Sequence, residues 1–191
     1  MNPRAPVSGT VSCNVTTPIN CMFDTNVFNR ILDGVVPIDA LSGKVNAHAT
    51  HIQRDEIART KDEARRKALE TVFGTVTGAS VATASLVMGV SRIGEARLGG
   101  ERIVPTNSAV WDVSAWGQAK WSANDNVYTP IKADLDALNK GKKNNVEDAL
   151  IAETAIKDGH VLVTDDEHLA AVAKKYHGEC LSVQELWQRI T

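Results

Sequence analysis

Four acidic residues carry the chemistry open to this chain: Asp24 in CMFDTNVF, Glu56 in HIQRDEIA, Asp148 in NNVEDALIAETA and Asp166 in LVTDDEHL. Each stands at or near a boundary between an apolar, strand-like run and a helix, or in the first turn of a helix. Strand ends gather on one edge of a parallel sheet, so four such residues can meet in one cleft. Clustered carboxylates repel one another unless a cation neutralises them. The chemistry suggested is Mg2+ or Mn2+ binding, used on a phosphate ester. Magnesium usually takes one or two protein carboxylates plus waters, so four acids suit one ion held tightly or two ions with a bound phosphate. The reaction expected of such a centre is in-line attack of water on phosphorus.

Each acid taken singly has a plainer account. Asp24 follows a strand and precedes a helix, where an N-cap needs only one short acceptor. Asn26 adds a second polar group to that loop. Asp55 and Glu56 are about 100° apart on a helix, so only one faces the cleft. Glu56, flanked by Ile52 and Ile57, is expected on the packed side and Asp55 toward water. Asp148 falls three residues after Asn145, the expected N-cap, where a carboxylate also favours the helix N-terminus. Glu147 and Glu153 are expected to point elsewhere on that helix. Asp165 and Asp166 follow HVLVT, and one of them suffices to cap the next helix. Thr164 is placed to hydrogen-bond a neighbouring carboxylate and orient it. His48 and His51 have a metal-pair spacing, but no third ligand is spaced with them and ordinary polar histidines are preferred. No serine or cysteine nucleophile is paired with a histidine. Arg59 lies on the Glu56 side of its helix, and Lys140, Lys142 and Lys143 form a basic turn before Asp148. Arg59, Lys142 and Lys143 are the candidates to meet the phosphates of a polyanion, although solvated charge runs are commonplace.

The elements that must position these groups are legible in outline. INCMF (19–23) and HVLVT (160–164) read as buried strands, 44–49 and 179–181 as shorter ones. Helices are expected over 25–32, 51–59, 128–139, 145–157 and 166–176, with Gly34, Gly159 and Gly178 as stops. Thr60-Lys-Asp-Glu63 and Ser182-Val-Gln-Glu185 have the capping-box pattern and predict helices to about Phe73 and to the C-terminus. Over 79–97 a helix rich in small residues is preferred to a loop. Strands alternating with helices predict an α/β fold with a central, mostly parallel sheet flanked by helices.

Residues 1–19, with three prolines, are expected to form a weakly ordered tail. Residues 20–191 are expected to form a single domain with an insertion at about 74–126. Trp111, Trp116 and Trp121 lie in it at a spacing that fits neither a helix face nor a strand face, so an irregular segment is expected, with a short helix over 110–121 as the alternative. A chain of 191 residues with 43% apolar and 23% charged content fits one globular domain. The net charge of −2 advertises no polyanion binder, but a local basic rim would be hidden in that sum. Cys13, Cys21 and Cys180 suggest neither a zinc site nor a disulfide framework, and a reducing, cytoplasmic location is expected. No apolar run reaches the roughly 18 residues of a membrane span, and the N-terminus lacks the apolar core of a signal peptide.

The order and context of the acids resemble the PIN-domain nuclease family. FDTNVFNRIL looks like its first motif, with Asp24 as the first acid and Thr25-Asn26 as companions. Glu56 in ATHIQRDEIART matches the second acid. Asp148 matches the third, and Thr164-Asp165-Asp166 matches the Thr-x-Asp of the fourth. The match covers about residues 20–60 and 144–187. The resemblance implies a three-layer sandwich and Mg2+- or Mn2+-dependent cleavage of single-stranded or structured RNA. It also implies Asp24, Glu56, Asp148 and Asp166 as metal-site acids, with Asn26 and Thr164 as supports. Many small bacterial members are VapC-like toxins, often homodimeric and neutralised by a cognate antitoxin, so a toxin is the first expectation. Alternatives are an RNA-processing nuclease outside toxin systems and a non-catalytic RNA- or protein-binding module. A haloacid-dehalogenase-like phosphatase needs Asp-x-Asp where this chain has Asp24-Thr25-Asn26, and a phosphoryl-accepting receiver needs a lysine absent near HVLVTDDEHL.

Overall fold

Short runs apolar on both faces become inner strands of parallel sheets, covered above and below. In the computed structural model, which describes residues 17–78, 80–87, 89–97, 127–140, 142 and 144–191, INCMF is strand β1 (Ile19–Phe23) and VLV is strand β3 (Val161–Val163). They pair in parallel, Met22 opposite Leu162. Strand β2 (Val45–His48) lies on the other side of β1, and β4 (Cys180–Leu181) on the other side of β3. The order is β2-β1-β3-β4, all parallel. The chain steps outward from β1 to β2, then crosses back to β3 and on to β4. The reversal therefore falls between β1 and β3, and a crevice opens beyond the carboxyl ends of strands at such a point. The residues that follow β1 and β3 there are Asp24 and Thr164.

Eight helices are seen among the described residues: α1 (Thr25–Leu32), α2 (Ile38–Leu41), α3 (His51–Ala58), α4 (Glu63–Val76), α5 (Tyr128–Asn139), α6 (Asn145–Asp158), α7 (Glu167–Lys175) and α8 (Val183–Ile190). Side chains alternate across a strand, so each sheet face gathers its own core. Cys21, Phe23, Val161 and Val163 meet Phe28 of α1, Leu69 of α4 and Leu186 of α8 on one face. Met22, Leu162 and Cys180 meet Ile131 of α5, Leu150 of α6 and Val172 of α7 on the other. Helix α3 serves both, with Ile57 in the first core and Ile52 in the second. The expected helix–sheet–helix layering of an α/β fold is what forms. Phe28 is fully buried, edge-on to Phe23 at 6.0 Å and tilted on Phe73 at 5.1 Å. Phe28→Ala is expected to cost about 3–5 kcal/mol, read as a lower urea midpoint, because the rings around it cannot close the cavity.

Several local expectations are corrected. Thr60 caps nothing: Asp62 is the N-cap of α4, its carboxylate accepting from the Arg65 N–H at 3.0 Å. That helix runs on to Val76. The capping box in this region belongs instead to Thr50 and Gln53, opening α3. Asn144, not Asn145, is the N-cap residue of α6. The side chain of Asn145 turns back to α5, donating to Asp136 at 2.8 Å and accepting from Asn139 at 3.1 Å. The described part of 79–97 is irregular and carries an isolated bridge between Thr83 and Ala96. Thr83 donates locally to the Ser85 carbonyl at 2.9 Å, which competes with a helix, and the hydroxyl of Thr154, on the distant α6, accepts from the Ala84 N–H at 3.0 Å. Gly159 closes α6 in the left-handed conformation, as expected. At the end of α7 it is His177 that takes positive φ, and Gly178 is required for space: a Cβ there would lie 2.8 Å from Ile156 Cγ1.

The expected 1–19 tail and 74–126 insertion fall largely outside the described residues, as do the 110–121 helix and its tryptophans. Ile19 already belongs to β1. Cys21 and Cys180 are buried free thiols, and burial pushes them up to about 12 and about 11, so neither is primed as a nucleophile. Among the described residues no helix is long and apolar enough to cross a membrane.

Candidate metal centre

Asp24 is the hub of the crevice. Its backbone N–H completes the sheet by donating to the Val163 carbonyl at 3.0 Å, which fixes the residue beside the end of β3. Its carboxylate accepts from the Thr25 N–H at 2.7 Å, from Asn26 Nδ2 at 2.7 Å and from the Thr164 hydroxyl at 2.6 Å. Asp24 is thus the N-cap of α1 as well as a buried acid, 7% exposed. The capping account and the site account hold together.

Thr164 links two of the acids. Its hydroxyl gives its proton to Asp24 and accepts from the Asp166 N–H at 3.0 Å and from Asn26 Nδ2 at 3.1 Å. Asp166 caps α7, one carboxylate oxygen accepting from the N–H groups of His168 and Leu169 at 2.9 and 3.0 Å. Glu56 enters from α3, where it accepts a hydrogen bond from the Thr25 hydroxyl. Gln53, one turn earlier, donates to the Phe23 carbonyl at 2.8 Å and so fastens α3 to the end of β1. Asp148 sits in the first turn of α6, half-buried. Arg59, at the C-terminus of α3, pairs with Glu147 at 2.9 Å and ties that turn to the helix bearing Glu56.

The electrostatics record how close the acids are. Burial raises the Asp148 carboxyl to about 8, reinforced by Asp24, Glu56, Asp166 and Glu147. Burial also raises Glu56, with Asp24 and Glu147 adding to it and the Thr25 hydrogen bond and Arg59 opposing it. Asp24 is raised by burial, against the pull of its bonds from Thr164 and Thr25 and with the push of Asp166 and Asp165. All four acids therefore act on Asp148 or are Asp148. Yet among the described residues no group of three or more acidic, histidine or cysteine side chains converges closely enough to hold an ion directly. The donor set is all carboxylate oxygen, which suits a hard dication that keeps part of its water shell.

Other sequence-picked residues fall as follows. Asn26 and Thr164 bond Asp24 directly. Arg59 is at the rim, its side chain 64% exposed while Glu147 is 15% exposed. Glu147 thus faces the rim, contrary to expectation, because Arg59 draws it there. Asp55 is not left to water either: Arg92 pairs with it at 2.9 Å. Glu153 is fully buried on α6, held by Lys157 at 2.8 Å and Ser85 at 2.9 Å, away from the acids as expected. Lys142 is exposed, and Lys143 lies outside the described residues. His48 and His51 do not pair. His48 stacks on His160 at 4.2 Å, and His51 approaches the Val90 carbonyl at 3.3 Å. The Thr25–Glu56, Arg59–Glu147 and Arg30–Asp165 contacts join segments far apart in the chain, and no local pattern announces them.

No family model and no curated protein matches the chain. Among the solved structures that are similar to the chain are three that match over most of its length. One is VapBC2 from Rickettsia felis, bound to a DNA fragment from its promoter, at 14% identity and TM-score 0.47, covering 86% of this chain and 98% of that one. Another is PAE2754 from Pyrobaculum aerophilum, at 14% identity and TM-score 0.43, covering 97% and 98%. The third is FitAcB from Neisseria gonorrhoeae, at 12% identity and TM-score 0.38, covering 84% and 96%. Likeness at this level assigns no activity, which must be argued from the chain's own residues.

Proposed function

We propose that this chain is a metal-dependent endoribonuclease of the PIN-domain type, hydrolysing phosphodiester bonds of single-stranded RNA. We further propose that it is a VapC-like toxin with a cognate antitoxin. The observation that carries the nuclease reading is the hydrogen-bonded chain Glu56–Thr25 and Asn26–Asp24–Thr164–Asp166 at the carboxyl edge of β1 and β3, with Asp148 beside it. Capping α1 needs only one short acceptor; a buried carboxylate held by two further side-chain donors goes beyond that need and suits a site for cations.

When bound, Mg2+ or Mn2+ supplies charge stabilisation to the phosphate and makes water acidic enough to attack it. Asp24, Glu56, Asp148 and Asp166 would hold it. Thr25, Asn26 and Thr164 keep the oxygens of Asp24 and Glu56 oriented, so little rearrangement is left for the reaction. Arg59 stands at the rim where an RNA phosphate would pass. Mn2+-dependent cleavage of a mixed single-stranded RNA pool, abolished by EDTA, is the expected result. An inert wild-type protein would count against the reading.

Thr164→Val keeps the shape of the side chain and removes both its donor and its acceptor. Cleavage is expected to fall about 10–100-fold with the protein still folded, since the acids remain but lose their orientation. Rates under single turnover, with a melting curve of the same sample, check this.

A second reading, a non-catalytic RNA- or protein-binding module, has one observation in its favour: the acids do not converge on an ion as they stand. It predicts that substituting the acids leaves the biological effect of the protein intact.

A further inference from the structure

A cleft of about 450 Å³ adjoins the acid edge, between the start of α7 and the start of α8. Thr164 and Asp166 belong to both the cleft and the acid network. Anything held in the cleft therefore lies next to whatever the acids hold. Resting on the nuclease reading above, we propose that this cleft is a base-reading subsite. It would take the nucleoside that flanks the scissile phosphate and read it through the side-chain amide of Gln184.

Three properties of the cleft favour that occupant. Its volume falls in the range of pockets that enclose a small organic group, and a nucleoside fits. Val35, Ala170, Leu181 and Val183 give it an apolar lining, and the 53% exposure of Val35 leaves that surface open. A flat base gains by covering such a surface, whereas a free phosphate does not. The charge also argues against a phosphate pocket. Asp165, Asp166, Glu167 and Glu185 face Arg30 and Lys174 there, so the lining is net negative. The phosphate belongs at the acid edge with its cation, and the uncharged base in the cleft.

Most of the polar groups are already committed. Asp165 accepts from Arg30 at 2.9 Å and from the Val183 N–H at 3.1 Å. Asp166 caps α7, and Glu185 accepts from the Ser182 N–H at 2.7 Å. Gln184 is exposed on the first turn of α8 and carries a donor and an acceptor side by side. That pair matches the adjacent donor and acceptor on one edge of adenine. Arg30, anchored by Asp165 with its side chain still 52% exposed, offers a flat cation on which a base can stack.

The test has two arms on the full chain with Mg2+. In the first, each of the four ribonucleoside 5′-monophosphates is titrated while the backbone amides are followed by NMR. Shifts centred on Ala170, Leu181 and Gln184, largest with adenosine monophosphate and lost in Ala170→Leu, which fills the cleft, are expected. No shift there, or equal shifts at the acid edge alone, overturns the proposal. So does occupation of the cleft by triarginine but by no nucleotide, which assigns it to a cationic protein side chain. In the second arm, Gln184→Ala is expected to flatten the nucleotide preference beside the cut by about tenfold while a mixed pool is still cleaved. Unchanged preference in both variants removes the subsite and leaves the nuclease standing. Nucleotide binding in the cleft of a protein that cleaves nothing does the reverse.

Discussion

Asp24→Asn is expected to remove metal-dependent RNA cleavage by at least about 10³-fold, a loss near 4 kcal/mol of transition-state stabilisation. The fold should survive it. Asparagine is as good an N-cap as aspartate, so α1 keeps its start. The three groups that bond Asp24 are all donors, from Thr25, Asn26 and Thr164. An amide oxygen can accept from the Thr25 N–H, but the amide nitrogen must then face Asn26 Nδ2 and the Thr164 hydroxyl. If the Asn26 amide flips, its oxygen accepts from the new amide nitrogen and from the Thr164 hydroxyl, which is then free to accept in turn. What cannot be replaced is the negative charge at the centre of the four acids. Burial already works against that charge in the folded chain, so its removal costs the fold little and the site nearly everything. The rate and the melting temperature should separate cleanly: no cleavage, with melting unchanged or higher. A mutant that loses both would mean that Asp24 serves the fold first.

Asp148→Asn is expected to stabilise the metal-free protein at pH 8 while abolishing cleavage. The sign follows from the direction of the shift. In the folded chain the carboxyl is raised from 3.8 to about 8. The folded state thus holds this proton more tightly than the unfolded chain does. Its contribution to stability is complete below about pH 4, the unfolded value, and is lost as pH rises through about 8. Metal-free wild type should therefore melt progressively lower between pH 5 and pH 8.5, and Asp148→Asn should be flatter over the same window. The difference at the upper end is expected to be about 1–2 kcal/mol, equivalent to ~2–8 °C for a chain of this size. Mn2+ should restore wild type and leave the mutant unchanged. A steeper fall with pH in the mutant than in wild type would contradict the assignment of the strained proton to Asp148.

What the sequence made legible follows a physical division. Asp24 after INCMF and Asp166 after HVLVT could be placed because a strand end, a cap and a helix start are all local events. The α/β layering followed from apolar runs alternating with helix signals, and Gly159 from the need for a left-handed C-cap. Local competition between similar signals was harder to judge. Asp62 took the cap from Thr60, and Asn144 took it from Asn145, whose amide is used against Asp136. Over 79–97 the small residues permit a helix, but Thr83 bonds the Ser85 carbonyl locally, and Thr154, from the distant α6, takes the Ala84 N–H. Contacts between distant segments were not legible at all. Glu147 was expected to point away until Arg59 is seen to hold it, and Asp55 was expected in water until Arg92 is seen beside it. The stack of His48 on His160 depends on β2 and β3 both flanking β1. Such pairings are set by the tertiary fold, and a pattern read along the chain carries no trace of them.

Whether the four acids form one cation site is tested most directly by calorimetric titration of Mn2+ into the metal-free protein at pH 7.5. Binding accompanied by proton release, and lost in both Asp24→Asn and Asp148→Asn, is the predicted result. No binding by wild type, or binding that persists in both mutants, would contradict it.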